Sequence, residues 1–396
     1  MNKIYRHLRA GGNPTFAPHL IGKLVSRLRG NDDLKFVFAV AAVIFFSPMA
    51  QAEILIGVAG PMSGTSAIFG TQMLQGVQAA VDQLNSTGGI EGELVEVVSV
   101  DDACDNRKAE IAAQSLVEKH VAVVIGHFCS YPSLAAGKIY ESAGIPMIAP
   151  SGSLPALTDA GLSNIIRLVS RDDAQGAYAA LRMNIEFAAH KIAVVSDGSA
   201  VAEALVARFK AASGTAPAWF FTIKPAVKSV DDLMVGLAAK DIAALYCACA
   251  ASDAGFIASQ ITAAGLGLKV YGPDSLLAPQ YWEKSGDSGE GTFVSFAVDP
   301  QLSSEARKLI KLLAAADIKA EAPVLQSYAA VQVYAQAVEK IGAKNSTGVN
   351  EYLHSGASFS TVLGSLSFDA KGDVREPRLV WYVWSKGKFA TEYLVK

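Results

Sequence analysis

The sequence predicts an α/β protein built from two doubly wound parallel sheets, each at the centre of one lobe. Short apolar runs alternate with helical patterns along almost the whole chain from residue 53 onwards, which is typical of strands joined by helices. The alternation occurs in two successive series, which indicates two sheets. Glycine and small hydroxyl residues follow several of the runs, as expected of turns between a strand and a helix.

The first series predicts five strands with helices between them. These strands are Ile54–Val58, Leu94–Val100, Val121–Ile125, Pro146–Ala149 and Ile165–Leu168, and the helices include Gly70–Asn85 and Asn106–Lys119. The strands of the second series are Lys191–Ser196, Ala218–Ile223, Ala243–Tyr246 and Lys269–Tyr271. Helical periodicity returns over residues 303–340. An almost wholly apolar strand is then predicted at Leu379–Trp384, as expected where a strand is covered on both faces.

The first 52 residues are predicted to be removed on export. An apolar run of eleven residues, Phe36–Phe46, is followed by Ser47-Pro48-Met49-Ala50-Gln51-Ala52, which has the small-x-small cleavage pattern of a secretory signal. The run is shorter than the roughly 20 apolar residues that a membrane-spanning helix needs. The mature chain is therefore predicted to begin at Glu53, and translation is expected to start downstream of Met1.

The mature chain is predicted to be acidic. Removing residues 1–52 takes away seven of the 34 Lys and Arg and two of the 37 Asp and Glu, which leaves 27 against 35 and a formal charge of −8. Nucleic acids and anionic membranes bind basic faces, so neither is expected as a partner. Local dipoles, rather than net charge, would have to hold any anionic ligand group.

All four cysteines lie in the mature chain. Cys104 and Cys129 follow two predicted strands that would be neighbours in the first sheet, so in an exported protein they are predicted to form a disulfide. Cys247 and Cys249 lie two apart in a predicted strand, where their side chains point the same way with poor geometry for a bond. They are therefore predicted to be two small buried thiols.

Turns at the sheet edges predict a small anionic or zwitterionic ligand. Ser130 follows one predicted strand, and Ser151 and Ser153 follow the next one along the chain. A strand that enters a helix through such a turn aims free backbone N–H groups and the positive end of the helix at one spot, which suits a carboxylate. Asp274 lies at the equivalent edge of the second sheet, where its carboxylate could bind an ammonium group. Phe69 follows the first strand, where its ring either faces the apolar part of a ligand or only packs on its helix.

No pattern in the sequence predicts catalysis, a metal site or a cofactor. The four histidines of the mature chain stand apart, without the paired spacing of metal ligands. His127 lies two residues from Cys129, but a cysteine held in a disulfide cannot act as a nucleophile. The glycines after the first strand do not match the dinucleotide-binding fingerprint. We therefore expect a binding protein that is not an enzyme and has no cofactor.

Five motifs spread over the mature chain point to a known family. They are Gly60-Pro61-Met62-Ser63-Gly64, Asn85-Ser86-Thr87-Gly88-Gly89-Ile90-Glu91-Gly92, Asp101-Asp102-Ala103-Cys104-Asp105, Val124-Ile125-Gly126-His127-Phe128-Cys129-Ser130 and Phe368-Asp369-Ala370-Lys371-Gly372-Asp373. Together they resemble the periplasmic leucine/isoleucine/valine-binding proteins of ABC transporters. The resemblance covers essentially all of Glu53–Lys396.

The resemblance implies a type I periplasmic binding fold, in which three hinge crossings join two lobes that close on a ligand. Lobe 1 would comprise residues 53–170 and 301–375, and lobe 2 would comprise residues 171–300 and 376–396. The implied function is that of the solute-binding component of an ABC transporter, with an aliphatic or branched-chain amino acid as ligand. Its partners would be that small-molecule amino acid and a permease in the inner membrane, and the protein would be a soluble monomer of the periplasm.

The same resemblance assigns roles to individual residues. Ser130 and Ser153 would bind the α-carboxylate of the ligand. Ser151 would offer its backbone carbonyl to the ammonium group, and Asp274 would bind that group with its carboxylate.

Several pocket positions depart from the leucine-type pattern. Phe69 stands in place of Tyr, Phe128 in place of Leu, Val201 and Ala250 each in place of Tyr, and Asp274 in place of Glu. Losing a ring opens space, and a hydrophobic cleft distinguishes side chains by about 1 to 3 kcal/mol per methylene. One alternative is therefore a binding protein for an amide or an aromatic acid. Another is a ligand sensor that signals to a receptor instead of serving a transporter.

Overall fold

A computed structural model describes residues 53–188, 191–214 and 218–392, and the first sheet within them has five strands. The predicted signal segment and translation start lie outside these residues. The strands of this sheet are β1 (Glu53–Gly60), β2 (Leu94–Asp101), β3 (Val123–Gly126), β4 (Met147–Ala149) and β5 (Ile165–Arg167). The helices between them are α1 (Ala67–Ser86), α2 (Asn106–Glu118), α3 (Ser130–Ser142) and α4 (Ala156–Asp159). All five strands are parallel, in the order β2-β1-β3-β4-β5.

A second run of strands and helices follows along the chain. The strands are β6 (Lys191–Ser196), β7 (Ala218–Thr222), β8 (Ile242–Ala248), β9 (Lys269–Gly272) and β10 (Phe293–Ala297). The helices are α5 (Ala174–Glu186), α6 (Ala200–Ser213), α7 (Asp231–Ala239), α8 (Ala251–Ala263) and α9 (Pro279–Ser285).

The last third of the chain contributes to both parts of the fold. Its elements are α10 (Arg307–Ala315), α11 (Ala322–Ile341), α12 (Ser346–Leu353), β11 (Ser358–Thr361), β12 (Gly364–Ser367), β13 (Leu379–Ser385) and β14 (Lys388–Thr391). Strands β11 and β12 form an antiparallel hairpin. Strands β13 and β14 complete the second sheet, whose order is β14-β13-β10-β9-β8-β6-β7.

Helix α11 is the central helix of the core around the first sheet. The face predicted from its periodicity is buried at Tyr328, Val331, Tyr334 and Val338. It packs closely on α1, because Gly76 of α1 faces the backbone carbonyl of Val324 and any Cβ there would clash with it. Strands β3 and β4 are buried at every position, which explains why their sequences are continuously apolar.

The strand order places a crevice at one edge of each sheet. It changes direction between β1 and β3 in the first sheet and between β6 and β8 in the second. At such a point the loops at the carboxyl ends of the strands diverge and leave room for a ligand. Side-chain caps fix two of the helices that begin at the carboxyl ends of strands. Asp105 accepts from the N–H of Lys108 (2.9 Å) at α2, and Ser199 accepts from the N–H of Ala202 (3.2 Å) at α6.

The α/β fold with two sheets is confirmed, but the second sheet is not wholly parallel. The predicted strand Leu379–Trp384 is present as β13, which lies antiparallel to β10 and to β14. The chain re-enters the sheet with Leu379 opposite Ala297, the last residue of β10, so β13 runs against β10. The turn at Lys386 and Gly387, which have φ values of 51° and 75°, then returns the chain as the hairpin of β13 and β14. Three positions of β13 that were predicted to be covered, Leu379, Val380 and Tyr382, are only half-buried. The hairpin β11–β12 was not predicted.

Candidate functional site

The two predicted carboxylate-binding turns lie side by side at the edge of the first sheet. Strand β3 ends at Gly126 and β4 ends at Ala149, and the two strands pair with each other. Ser130 is the first residue of α3, and its Oγ accepts a 3.4 Å hydrogen bond from the N–H of Leu154 in the loop after β4. The hydroxyl of Ser130 therefore bridges the two turns.

The second turn differs from the prediction because only the four-residue helix α4 follows it. The Oγ of Ser151 donates to Oε1 of Gln326 on α11 over 3.5 Å. Ser153 is bonded to Asp172 twice, since its hydroxyl contacts the carboxylate and its backbone carbonyl accepts from the N–H of Asp172 (3.0 Å). Of the two turns, the one at Ser130 therefore leads into the longer helix, α3, which has 13 residues.

Phe69 and Phe128 form an aromatic pair at the same edge. Phe69 lies in the first turn of α1, and its ring stacks on that of Phe128 with 4.6 Å between the centroids and 9° between the planes. Phe69 is 38 % exposed. Its ring therefore packs on the protein and also stays accessible to a ligand.

The loop after β3 is tied to the turn after β2. A disulfide joins Cys104 to Cys129, with 5.6 Å between the Cα atoms, which confirms the predicted bond. Beside it, Nδ1 of His127 lies 2.6 Å from Oδ2 of Asp102, and both side chains are fully buried. The other ring nitrogen of His127 lies 3.2 Å from the hydroxyl of Tyr140. These contacts fix the backbone on either side of Phe128, one of the predicted pocket residues.

Asp274 lies at the edge of the second sheet, just after β9, where Gln175 holds it. The N–H of Asp274 donates to Oε1 of Gln175 (2.9 Å), and Nε2 of Gln175 donates to Oδ1 of Asp274 (3.0 Å). The hydroxyl of Ser295 on β10 donates to the same Oε1 (3.0 Å). Sequence analysis missed Gln175 because it lies 99 residues from Asp274, so no local pattern connects the two.

Asp172 is a second carboxylate of the site that sequence analysis did not single out. Burial raises the pKa of Asp172, and the nearby carboxylate of Asp274 raises it as well, although the hydrogen bond from Ser153 works in the opposite direction. The residues on either side, Arg171 and Asp173, form a buried ion pair of 2.9 Å. The sequence signal for Asp172 was the run of three charged residues after β5. Asp172 is the middle residue of that run and faces the site.

A cavity of about 400 Å³ lies between these carboxylates and the wall formed by the second sheet. Three of the predicted site residues line it, namely Ser153, Val201 and Asp274, whereas Phe69, Phe128, Ser130 and Ser151 do not. The remaining lining is mostly small or aliphatic and includes Ala202, Leu205 and Ala250. Val201 is 61 % exposed, so its side chain projects freely at the mouth of the cavity.

Asp197 also lines the cavity, but its carboxylate is already bonded to the backbone. Its Oδ1 accepts from the N–H of Ser199 (2.9 Å), and its Oδ2 accepts from the N–H of Ala250 (3.0 Å). These bonds join the turns after β6 and β8, where the strand order of the second sheet changes direction. Both carboxylate oxygens of Asp197 therefore already have a backbone partner.

The prediction of two buried thiols at Cys247 and Cys249 is wrong, because the two residues form a disulfide. Strand β8 ends at Ala248, so Cys249 already lies in the turn that enters α8. The chain bends there and brings the two Cα atoms to 5.3 Å, within the usual range for a disulfide. The argument from strand geometry failed because the strand stops between the two cysteines. Cys249 also lines the cavity.

Across residues 53–188, 191–214 and 218–392, no group of three or more His, Cys, Asp and Glu side chains is arranged to hold a metal ion. In the same part of the chain, none of the helices combines the length and apolar character needed to cross a bilayer.

Comparison with known proteins places the chain in a family. The model of the periplasmic binding protein family matches residues 53–386. The chain is 33 % identical over 352 residues to Leu/Ile/Val-binding protein homolog 1 of Brucella melitensis, covering 88 % of this chain and 95 % of that protein. It is 32 % identical over 359 residues to an amino acid binding protein of Pseudomonas aeruginosa, covering 89 % and 96 %.

Its fold is similar to the crystal structure of an ABC transporter substrate-binding protein from Desulfitobacterium hafniense in complex with Leu. The TM-score is 0.66 at 22 % identity, over 86 % of this chain and 99 % of that one. Proteins of this family bind solutes and are not a family of enzymes. The chain therefore belongs to the periplasmic binding protein family and has the type I periplasmic binding fold.

Proposed function

We propose that this chain is the solute-binding component of an ABC transporter and binds an aliphatic or branched-chain amino acid between two lobes. The observation that carries the proposal is the grouping of two hydroxyls at the edge of the first sheet, Ser130 and Ser153, with two carboxylates, Asp274 at the edge of the second sheet and Asp172 in the segment after β5. A zwitterionic ligand presents its carboxylate to the hydroxyls and its ammonium group to the carboxylates of the protein. The names of the two relatives, one for Leu, Ile and Val and one for amino acids, support the same ligand class.

The lobes of this proposal are residues 53–170 with 301–375, and residues 171–300 with 376–396. The core around the first sheet supports this division, because Leu309 and Leu313 of α10 pack in it together with β1 and α11. The chain therefore returns to the first sheet after β10, and it enters the second sheet again at β13. The three connecting segments act as the hinge of a closure motion.

The carboxylate end of the ligand meets Ser130, Ser153 and the N-terminus of α3. This helix has 13 residues, so its first turn offers free N–H groups and the positive end of a full helix dipole. Such a local dipole binds an anion in a protein whose net charge is negative. The stacked rings of Phe69 and Phe128 lie next to this position and contact the apolar part of the ligand.

The ammonium end meets Asp274, Asp172 and the backbone carbonyl of Ser151. Closure of the lobes removes water from the charged ends of the ligand, which is favourable only where the protein supplies replacement partners. The side chain of the ligand fills the part of the cavity lined by Val201 and Leu205. That wall is apolar, so it favours an aliphatic side chain.

The transport role implies a permease of the inner membrane as partner and the periplasm as location. It requires neither catalysis nor a cofactor, and we propose that the protein acts as a monomer. Membership in the periplasmic binding protein family supports the permease partner and the periplasmic location.

Calorimetric titration of the exported protein with L-Leu, L-Ile and L-Val tests the proposal, after bound ligand has been removed by unfolding and refolding. Wild-type protein is expected to bind at least one of them. Asp274→Asn is expected to weaken binding at least about 100-fold, roughly 2.7 kcal/mol, because the ammonium group is buried without its counter-charge.

Asp232→Asn is the matched control, because Asp232 is an exposed acid on α7 far along the chain from the site. It should bind as the wild type does. Unchanged affinity in Asp274→Asn would refute the ammonium assignment. A folded wild-type protein that binds none of the three amino acids would refute the ligand class.

A further inference from the structure

A second cavity, of about 570 Å³, lies between the hairpin β11–β12 and the segment that enters β13. It shares no lining residue with the cavity described above. More of its exposed lining surface is polar than apolar, and the apolar part is contributed by Val298, Leu366, Val374, Pro377, Leu379 and Val380. The polar part consists of three hydroxyls on the hairpin, at Ser358, Ser365 and Ser367, together with Glu376 and Arg378.

The guanidinium of Arg378 is half-buried in this wall without a counter-ion. Among the described residues, ion pairs within 4.0 Å are made by other basic side chains and not by Arg378. Burial lowers the pKa of Arg378, and the more distant carboxylate of Glu305 offsets this only in part. A half-buried cation of this kind loses part of its solvation. Glu376 lines the same cavity but lies farther than 4.0 Å from the guanidinium, so the guanidinium can still pair with one negative charge.

The backbone around Arg378 fixes where that charge would bind. Its N–H donates to Oγ of Ser170 (2.8 Å), and its carbonyl accepts from the N–H of Val298 (3.0 Å). Its guanidinium lies against the hairpin turn, where a Cβ added to Gly364 would be 3.4 Å from Nη1. The cation is therefore already positioned at the cavity and needs no rearrangement of the backbone.

We propose that this cavity binds a small organic monocarboxylate. The planar guanidinium of Arg378 matches a carboxylate in a two-point hydrogen-bonded pair. The hydroxyl of Ser367 provides a further donor, whereas those of Ser358 and Ser365 bond to each other (2.7 Å). The apolar side chains of the lining accommodate an organic group, which a bare inorganic anion lacks. Glu376, which also lines the cavity, disfavours anions with more than one charge, such as phosphate. The proposal does not depend on which solute binds between the lobes.

Titration of the exported protein with 4-fluorobenzoate, followed by ¹⁹F NMR line broadening, tests the site. Arg378→Gln is expected to weaken binding at least about tenfold, because the carboxylate loses its counter-charge. Ser367→Phe fills the cavity from the hairpin and leaves the guanidinium in place, and it should cause a similar loss. The neutral probe 4-fluorobenzamide should bind the wild type at least about tenfold more weakly than the acid.

Two controls locate the binding. Arg307→Gln removes an exposed arginine at the start of α10 and should leave the affinity unchanged. Asp274→Asn should also leave it unchanged, because it alters the other cavity. Wild-type affinity in both Arg378→Gln and Ser367→Phe, shown to be folded by circular dichroism, would overturn the proposal. A larger loss in Asp274→Asn than in Arg378→Gln would overturn it too, and sulfate competing as strongly as 4-fluorobenzoate would overturn the choice of an organic acid.

Discussion

The two sheet edges that carry the candidate site are stabilised in different ways. At the first edge, the loop after β3 is held by a disulfide that spans 25 residues and by the buried pair of His127 and Asp102. At the second edge, Asp274 is held by the side chain of Gln175. The disulfide there, Cys247–Cys249, spans only two residues. The first edge is therefore cross-linked between distant turns, whereas the second relies on hydrogen bonds from the segment after β5.

This difference predicts which contacts matter for folding and which for binding. The ties at the first edge connect strands β2 and β3 within one sheet, so their loss should mainly lower stability. The hydrogen bonds of Gln175 join α5 to Asp274 just after β9 and to Ser295 in the middle of β10. Asp274 is the carboxylate that we propose binds the ligand. Loss of these hydrogen bonds should mainly lower ligand affinity.

The largest stability effect is expected from His127→Ala. It leaves the fully buried carboxylate of Asp102 with the N–H of Cys104 (2.8 Å) as its remaining hydrogen bond. Breaking a buried pair of this kind costs about 3 to 5 kcal/mol. Urea unfolding followed by circular dichroism measures the change in the free energy of unfolding.

Tyr140→Phe is the matched control, since it removes only the hydroxyl that lies 3.2 Å from the other ring nitrogen of His127. Its expected cost is about 1 kcal/mol. If His127→Ala cost no more than Tyr140→Phe, the pair of His127 and Asp102 would not be the main polar tie of the first edge.

The two disulfides should also differ in how much stability is lost when each is removed, with the larger loss at the first edge. Replacing both Cys104 and Cys129 by Ala is expected to cost about 3 kcal/mol, because the bond closes a long loop in the unfolded chain. Replacing both Cys247 and Cys249 by Ala should cost about half as much, roughly 1.5 kcal/mol, because their loop is very short. Thermal unfolding of the two double variants under oxidising conditions measures the difference. A larger loss in the Cys247/Cys249 variant would contradict the account of the two edges.

The sequence was sufficient to predict the parts of the fold that depend on local pattern. The buried strands β3 and β4 are continuous apolar runs, and the disulfide between Cys104 and Cys129 was predicted. The strands before these cysteines, β2 and β3, are not neighbours as expected, because β1 lies between them. The antiparallel placement of β13 was not predictable in this way, because its apolar sequence fits either direction. That direction is set by where the chain re-enters the sheet, since β13 begins with Leu379 opposite Ala297, the last residue of β10.

The site was predicted where a single turn carries the chemistry and missed where distant segments meet. Ser153 and Asp274 each follow a strand, so their positions at the sheet edges could be read from the sequence. Gln175 lies in a helix with no unusual pattern around it, and its role depends on packing against β9 and β10. The bond between Cys247 and Cys249 depended on where β8 ends, and strand ends are set by tertiary contacts.

The smallest change in free energy is expected for a variant of Gln175, and this variant is the most specific test of the second edge. Gln175→Leu keeps the volume of the side chain but removes both hydrogen bonds to Asp274. We expect about a tenfold loss of affinity for the amino acid ligand, roughly 1.4 kcal/mol, because the carboxylate is no longer oriented. Gln114→Leu, at an exposed position of α2, is the control and should bind as the wild type does.

A pH profile separates orientation of Asp274 from simple support of the fold. Gln175→Glu keeps an acceptor for the N–H of Asp274 but places a second carboxylate beside it, which raises the pKa of the pair. Ligand binding needs the ionised form, so the affinity of this variant should fall as the pH decreases through the raised pKa, at a higher pH than in wild type. A residue that only supported the fold would lower affinity equally at every pH. Calorimetry between about pH 5 and 8, where folded proteins are usually most stable, distinguishes these outcomes, and a parallel pH dependence in variant and wild type would assign Gln175 a purely structural role.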